Sequence, residues 1–278
     1  MRTFKSISLS SLLAIAVMAY CTSVFGVDLL ELPAIKSDAA SEALLLDVTE
    51  QPDGTLVAVG THGVIILSDD LGSTWEQSSV PASVALTGVY FPTPDKGWAV
   101  GHDGLILHSA DGGATWSKQL DGHQLNEQIV EVAELIVEQT REELERLLAQ
   151  EEPDEYAIED AEFALEEAEF MLEGALDDTA AGPVRPLLGV WFENESEGYV
   201  VGAYGMLLHT TDGGSSWELV SNRMDNPQAF HLNQIREAPD GALYIAGEAG
   251  FIFRSTDGGL SWDTLEPGYE GSFYGILF

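Results

Sequence analysis

Basic residues are scarce in this sequence. Eleven Lys and Arg stand against 47 Asp and Glu over 278 residues, a net charge of −36. That balance repels the phosphates of nucleic acid and disfavours anionic lipid surfaces, so neither is an expected partner. Cysteine is nearly missing: Cys21 stands alone, which excludes an internal disulfide and leaves stability to packing. Long apolar runs are also lacking, and no stretch reaches the ~18 residues that a spanning helix needs. The apolar run near Leu12–Ala19 follows Arg2 and Lys5 and precedes small residues, the pattern of a secretory signal over residues 1–26. The chain is therefore expected to be exported, most simply to a bacterial periplasm. Cleavage after Gly26 would remove Cys21, and the bulky Tyr20 before that residue argues against lipid anchoring. Zinc-type ligand spacing is absent as well. His108 and His209 occupy equivalent slots, but Leu67 and Arg254 fill the same slot elsewhere, so neither metal nor cofactor is expected.

What the sequence does have is an eight-residue phrase that occurs four times: SDDLGSTW, SADGGATW, TTDGGSSW and STDGGLSW. Each holds an Asp (Asp70, Asp111, Asp212, Asp257), a Gly (Gly72, Gly113, Gly214, Gly259) and a terminal Trp (Trp75, Trp116, Trp217, Trp262). The Asp is expected to accept hydrogen bonds from backbone N–H groups two or three residues on. The Gly supplies a backbone conformation that a β-carbon would penalise, and the Trp buries its ring between neighbouring sheets. Glycine pairs precede each phrase, at Gly60/Gly63, Gly101/Gly104, Gly202/Gly205 and Gly247/Gly250. Short β-branched or aromatic runs such as TGVYF and LGVWF lie further upstream. Thr87–Gln119 thus reads as four antiparallel strands joined by tight turns. Repetition of such a unit predicts an all-β fold, a β-propeller of four-stranded antiparallel blades.

The phrase is the Asp-box, or BNR repeat. With the glycine pair ahead of it, over Leu46–Trp116 and Leu188–Phe278, the pattern resembles the photosystem II assembly and stability factor family of propellers. That resemblance implies a non-catalytic factor that binds a membrane-protein subunit and assists its assembly. Photosynthetic members use a basic patch on the propeller, whereas this chain is poor in arginine, which favours an envelope complex such as a transporter as partner. The family's propellers usually have seven blades. Here four full repeats are followed by FYGILF (Phe273–Phe278), matching the opening strand of a fifth, as in a truncated chain. Residues Val27–Ala43 are expected to add an outer strand. Blades one and two then occupy 27–120, and blades three and four with the fifth opening occupy 181–278.

Between them, residues 121–180 interrupt the pattern. Asp121–Asp178 holds 21 acidic residues against Arg141 and Arg146, so nineteen of the 36 net negative charges lie here. Ile129, Ala133, Ile136, Thr140, Leu144 and Leu147 form one helical stripe, and Ile158, Ala161, Leu165, Ala168, Leu172 and Ala175 a second. Pro153 and Asp154 separate them, predicting an antiparallel α-helical hairpin. Like-charge pairs along each helix cost ~0.2–0.5 kcal/mol, less than the ~1.5–3 kcal/mol from burying one Leu or Ile between the helices. A connection between blades emerges at the end carrying the G-x-x-G turns. The turn residues His62, His102, Asp103, Tyr204 and Glu248 are therefore expected to share a face with the arm. Together with the arm residues Glu131, Glu138, Glu162 and Glu169, they are the candidate partner-binding set. No catalytic residue is assigned and no small-molecule substrate is expected. The competing reading, a sialidase-like or other glycan-acting Asp-box hydrolase or a glycan-binding propeller, would need a cluster of arginines. Only six lie beyond the signal segment: Arg141, Arg146, Arg185, Arg223, Arg236 and Arg254.

Overall fold

The computed structural model describes residues 27–151 and 154–278; the expected signal segment with Cys21, and Pro153, lie outside them. Among the described residues, sixteen strands form four antiparallel sheets of four. The first comprises β1 (Leu45–Glu50), β2 (Leu56–Gly60), β3 (Ile65–Ser68) and β4 (Glu76–Gln77). The second comprises β5 (Leu86–Tyr90), β6 (Gly97–Gly101), β7 (Ile106–Ser109) and β8 (Ser117–Leu120). After the hairpin come β9 (Leu187–Phe192), β10 (Gly198–Gly202), β11 (Leu207–Thr210) and β12 (Glu218–Leu219). The last sheet is β13 (Leu232–Glu237), β14 (Leu243–Gly247), β15 (Ile252–Ser255) and β16 (Asp263–Leu265). Within each sheet the strands lie in chain order, and the leading strands β1, β5, β9 and β13 lie side by side. This is the blade arrangement of a β-propeller.

The second strand of each blade carries apolar residues on both faces because another blade, or an apolar segment, covers each side. β6 (GWAVG) and β10 (GYVVG) are buried throughout. Between blades one and two, Val57, Val59 and Ile65 meet Val89, Leu107 and Trp116. Between blades two and three, Trp98, Val100 and Ile106 meet Val190, Leu208 and Trp217. Between blades three and four, Tyr199, Val201 and Leu207 meet Ile235, Phe253 and Trp262. The Trp98 and Phe192 rings stack at 3.6 Å. A recurring fastener reinforces each seam: a side chain of one blade donates to the carbonyl of the first box glycine of the next. Gln51 Nε2 reaches Gly112 O at 2.9 Å, Gln119 Nε2 reaches Gly213 O at 2.8 Å, and the Tyr199 hydroxyl reaches Gly258 O at 2.7 Å.

Two expectations about the flanks need correction. Residues 27–43 form no strand; they run as a strap over the first two blades. Leu30 is fully buried in the seam between them, Ala34 N–H donates to Val80 O, and Ser83 N–H donates to Leu29 O. Pro33 and the short polar stretch Lys36–Asp38 give this segment no alternation to pair as a strand. Phe273–Phe278 likewise form no ladder, yet lie where an opening strand would. Ile276 N–H donates to Gln234 Oε1 at 2.7 Å, just as Val89 N–H donates to Asp47 Oδ2 at 2.9 Å three repeats earlier.

The insertion is a helical hairpin, α1 (Gly122–Leu148) and α2 (Glu155–Ala181). Asp121 caps α1 by accepting from His123 and Gln124 N–H, and the Gln124 side chain returns a bond to the Asp121 N–H. Asp154 caps α2, and Gly182, at φ 102°, ends it. The predicted stripe of α2 faces α1, with Ala161, Ala168 and Ala175 buried where the helices approach closely, while Ile129 and Ile136 of the α1 stripe turn toward blade three. On α1 the seam centres on Ala133, Val137 and Leu147, one position round from Ile136. Twenty-seven residues per helix give an arm of about 40 Å.

Candidate functional site

The boxes are corners, and their hydrogen bonds explain the fixed Ser or Thr, Asp and Gly of the phrase. In the second box Asp111 Oδ1 accepts from Thr115 N–H at 2.9 Å, and Oδ2 accepts from the Thr115 hydroxyl at 2.6 Å. The Ser109 hydroxyl donates to Asp111 and accepts from Gly113 N–H. The same set recurs at Asp70, Asp212 and Asp257. The donor lies four residues on, not two or three, because the intervening glycine swings the chain back over the carboxylate; Gly72, Gly113, Gly214 and Gly259 sit at φ 83–91°. These bonds depress the carboxyl pKa values. Asp70 falls to about 2 through Thr74 N–H, the Thr74 hydroxyl and Ser68, and Asp257 to about 2 through the Ser261 and Ser255 hydroxyls and Ser261 N–H. Asp212 is lowered by Ser216, and at Asp111 the bonds from Thr115 and Ser109 outweigh an upward push from burial.

Three of the four tryptophans behave as expected. Trp116, Trp217 and Trp262 are buried in the inter-blade seams, edge-on to Phe91, Phe192 and Tyr199. Trp75 is only half-buried, packing against the cluster of Ala40, Ala58, Val64 and Ile66 at its own end of the molecule rather than within a seam between blades.

At the opposite ends of the strands lie the G-x-x-G turns, and the two glycines are required for different reasons. The first is extended, but in the first three turns a β-carbon there would strike the carbonyl that enters the leading strand, that of Leu44 for Gly60, Ala85 for Gly101 and Pro186 for Gly202; Gly247 has more room. The second glycine has a positive φ, and so does the residue before it: His62, Asp103, Tyr204 and Ala249 at 54–59°. His102 and Glu248 sit one position earlier, so the candidate tip residues fall in two classes, and Ala249 is the fourth member of the first.

As expected, the arm emerges on this face. Gly122 presses against Gly104, Leu125 is fully buried beside Leu120 and Leu187, and Asn126 ties α1 to Asp178 O and Gly182 O. The arm also leans on blade three, where Ile129 packs against the apolar cluster of blades two and three and lines a cleft with Leu219. The cleft, of about 400 Å³, is also lined by Val132, Ile136, Met171, Arg185, Tyr204 and Met206. At its mouth Arg185 pairs with Asp178 and lies 5.3 Å over the Tyr204 ring. Tyr204 meets the His231 ring edge-on at 5.2 Å, and His231 N–H donates to Glu248 at 3.1 Å. Arg185 and His231, which the sequence pattern did not single out, thus join Tyr204 to Glu248.

Around blade two, a second group forms where His123 contacts Asp28 at 2.9 Å. That contact is the main cause of a lowered Asp28 pKa, while burial raises that of the neighbouring Asp103. His62 stands apart from both groups. The arm glutamates are not brought to them either: Glu138 and Glu169 flank Arg141, at 3.4 and 3.2 Å, Glu131 faces the rim of blade three near Trp217, and Glu162 is exposed. His108 and His209 lie against Trp98 and Tyr199 of their own blades and do not converge. The arginines do not gather into a carboxylate site: Arg254 donates to Tyr244, Arg236 to Ile235 O, Arg223 lies 3.8 Å from Glu218, and Arg146 holds Glu143.

Four-stranded blades, Asp-box corners on one side and a face of paired-glycine turns on the other define a propeller of the BNR-repeat class. The sequence pattern described as photosynthesis system II assembly factor YCF48 matches residues 31–108, 73–143 and 182–272. The chain belongs to that family. Among solved structures it is similar to YCF48 bound to D1 peptide, at 16% identity and TM-score 0.47, covering 81% of this chain and 55% of that one. YCF48 from Cyanidioschyzon merolae gives 17%, 0.46, 80% and 56%, and an ancestral GH74 enzyme 12%, 0.49, 79% and 24%. The chain thus spans little more than half the length of the YCF48 structures it matches. No curated protein matches it significantly.

Proposed function

We propose that this protein is a non-catalytic, exported scaffold that assists the assembly or stability of a membrane or envelope protein complex. The partner is a subunit of that complex, a transporter being the leading candidate, and it docks on the G-x-x-G face beside the arm. Membership of an assembly-factor family supports the general role. The observation that carries the docking site is the Arg185–Tyr204–His231–Glu248 chain at the mouth of an apolar cleft, where the insertion meets the propeller. Apolar walls with a few polar groups at the rim match the anatomy of protein interfaces. The test leaves the arm's buried base in place. Residues 138–169 are replaced by a short turn, Tyr204→Ala is made separately, and crosslinked envelope proteins are quantified after purification. Loss of at least about tenfold in one defined subunit by either change is the expected result, one decade being about 1.4 kcal/mol. Undiminished recovery with both variants would overturn the assignment.

A further inference from the structure

The solvent-exposed face of α2 carries three aromatic rings at heptad spacing, Tyr156, Phe163 and Phe170, 80%, 61% and 76% exposed, the last also reaching the edge of the cleft against blade three. They lie roughly 120° or more around the helix from the alanine seam, so they take no part in holding the hairpin together. Three residues after each ring stands a glutamate, Glu159, Glu166 and Glu173, and four residues after the first two stand Asp160 and Glu167. The rings therefore form a line with a step of about 10.5 Å, fenced by carboxylates on both sides. Phe163 and Phe170 with Glu166, Glu167, Glu169 and Glu173 line a shallow groove of about 480 Å³. Four residues after Phe170 the second row ends at Gly174, where a β-carbon would meet nothing.

We propose that this face binds a basic amphipathic helix of a partner protein. Its apolar residues recur every seven positions to meet the rings, and its Lys or Arg flank them to meet the two carboxylate rows. Charge selects this occupant. A second copy of the arm would set glutamate rows against each other, and an anionic lipid surface would meet the same repulsion. A basic helix is complementary in both components, with the rings supplying register and the rows supplying attraction. This proposal rests on the reading of the arm as a dock, and names the chemistry of what it receives.

The test uses the intact chain and a defined probe: a 21-residue helical peptide with Leu every seventh position and Lys three and four residues after each Leu. A scrambled peptide of identical composition, and phosphatidylglycerol vesicles, serve as comparisons. Titration should show the patterned peptide binding at least about tenfold tighter than the scrambled one, no vesicle binding, and at least tenfold loss in Phe163→Ser/Phe170→Ser. Both rings are exposed, so the double variant should keep its helical circular dichroism; Tyr156→Ser repeats the test at the third ring. Equal binding of the two peptides, or binding indifferent to the rings, would overturn the proposal by reducing the face to unpatterned charge, and preferential vesicle binding would assign it to lipid. If the double variant keeps envelope-protein recovery while arm shortening abolishes it, the arm remains the dock and only the aromatic face is refuted.

Discussion

Leu71 is the one box residue that contradicts its own corner. The equivalent positions in the other boxes are Gly112, Gly213 and Gly258, at φ 69–74°, whereas Leu71 holds φ 57° with a β-carbon. That conformation costs an L-residue roughly 1–2 kcal/mol. The side chain recovers little, since it is 83% exposed. Replacing it with glycine removes the strain but frees the unfolded chain, which returns roughly 0.5–1 kcal/mol of that gain. Leu71→Gly is therefore expected to stabilise the protein by about 0.5–1 kcal/mol, read as a higher urea midpoint at unchanged slope. The converse experiment is available at Gly258, whose β-carbon would meet no atom within 4 Å. Gly258→Leu adds the strain without a clash and should cost about as much as Leu71→Gly gains. A Leu71→Gly protein less stable than the parent, or a neutral Gly258→Leu, would refute the claim that backbone conformation decides the residue here.

Trp217→Ala should cost ~3–5 kcal/mol because it empties a seam between two blades; Trp75→Ala, at a half-buried corner outside those seams, should cost visibly less in the same denaturant titration. The box carboxylates make acid stability diagnostic. Asp70 and Asp257 have folded pKa values near 2, below the ordinary 3.8, so their contribution is present above pH 4 and is lost as pH falls toward 2. Asp257→Asn should flatten the fall of unfolding free energy over that interval. Asp47 works in the opposite sense: burial raises its pKa despite the bond from Val89 N–H, so its contribution is lost as pH rises through the folded value. Asp47→Asn keeps an acceptor, as Gln234 does for Ile276 N–H, and should be neutral or stabilising at pH 7 but not at pH 3.

The propeller was legible because its signals are local and repeated. A corner that needs an acceptor, a left-handed glycine and a large ring writes all three within eight residues, and each blade writes them again. The hairpin was legible through its stripes and caps. What escaped notice depends on distance in the chain. The Gln51, Gln119 and Tyr199 fasteners serve one acceptor position from three different places in the blade, so no repeat reveals them. Arg185 and His231 stand outside the repeated turns and matter only because folding brings them to Tyr204. The strap of residues 27–43 leaves no signature in the sequence because its role is to cover the first seam with Leu30, which requires no periodicity. Tyr156, Phe163 and Phe170 were visible in the sequence, but glutamate rows on the same helix masked a period of seven that serves no internal contact.

That unused period bears on how the two halves of the molecule divide their work. The propeller uses most of its aromatic and charged groups internally: its seam rings are edge-on to one another, its box carboxylates accept from hydroxyls and N–H groups, and Arg254 donates to Tyr244. The arm does not. Its base is locked by Leu125 and Asn126, while further out its carboxylates outnumber Arg141 and Arg146 and its rings face solvent. Exposed aromatic groups and like charges along a helix both oppose solitary stability. Both features fit the proposed docking of a basic partner helix on this face, and neither is used in the seam of buried alanines.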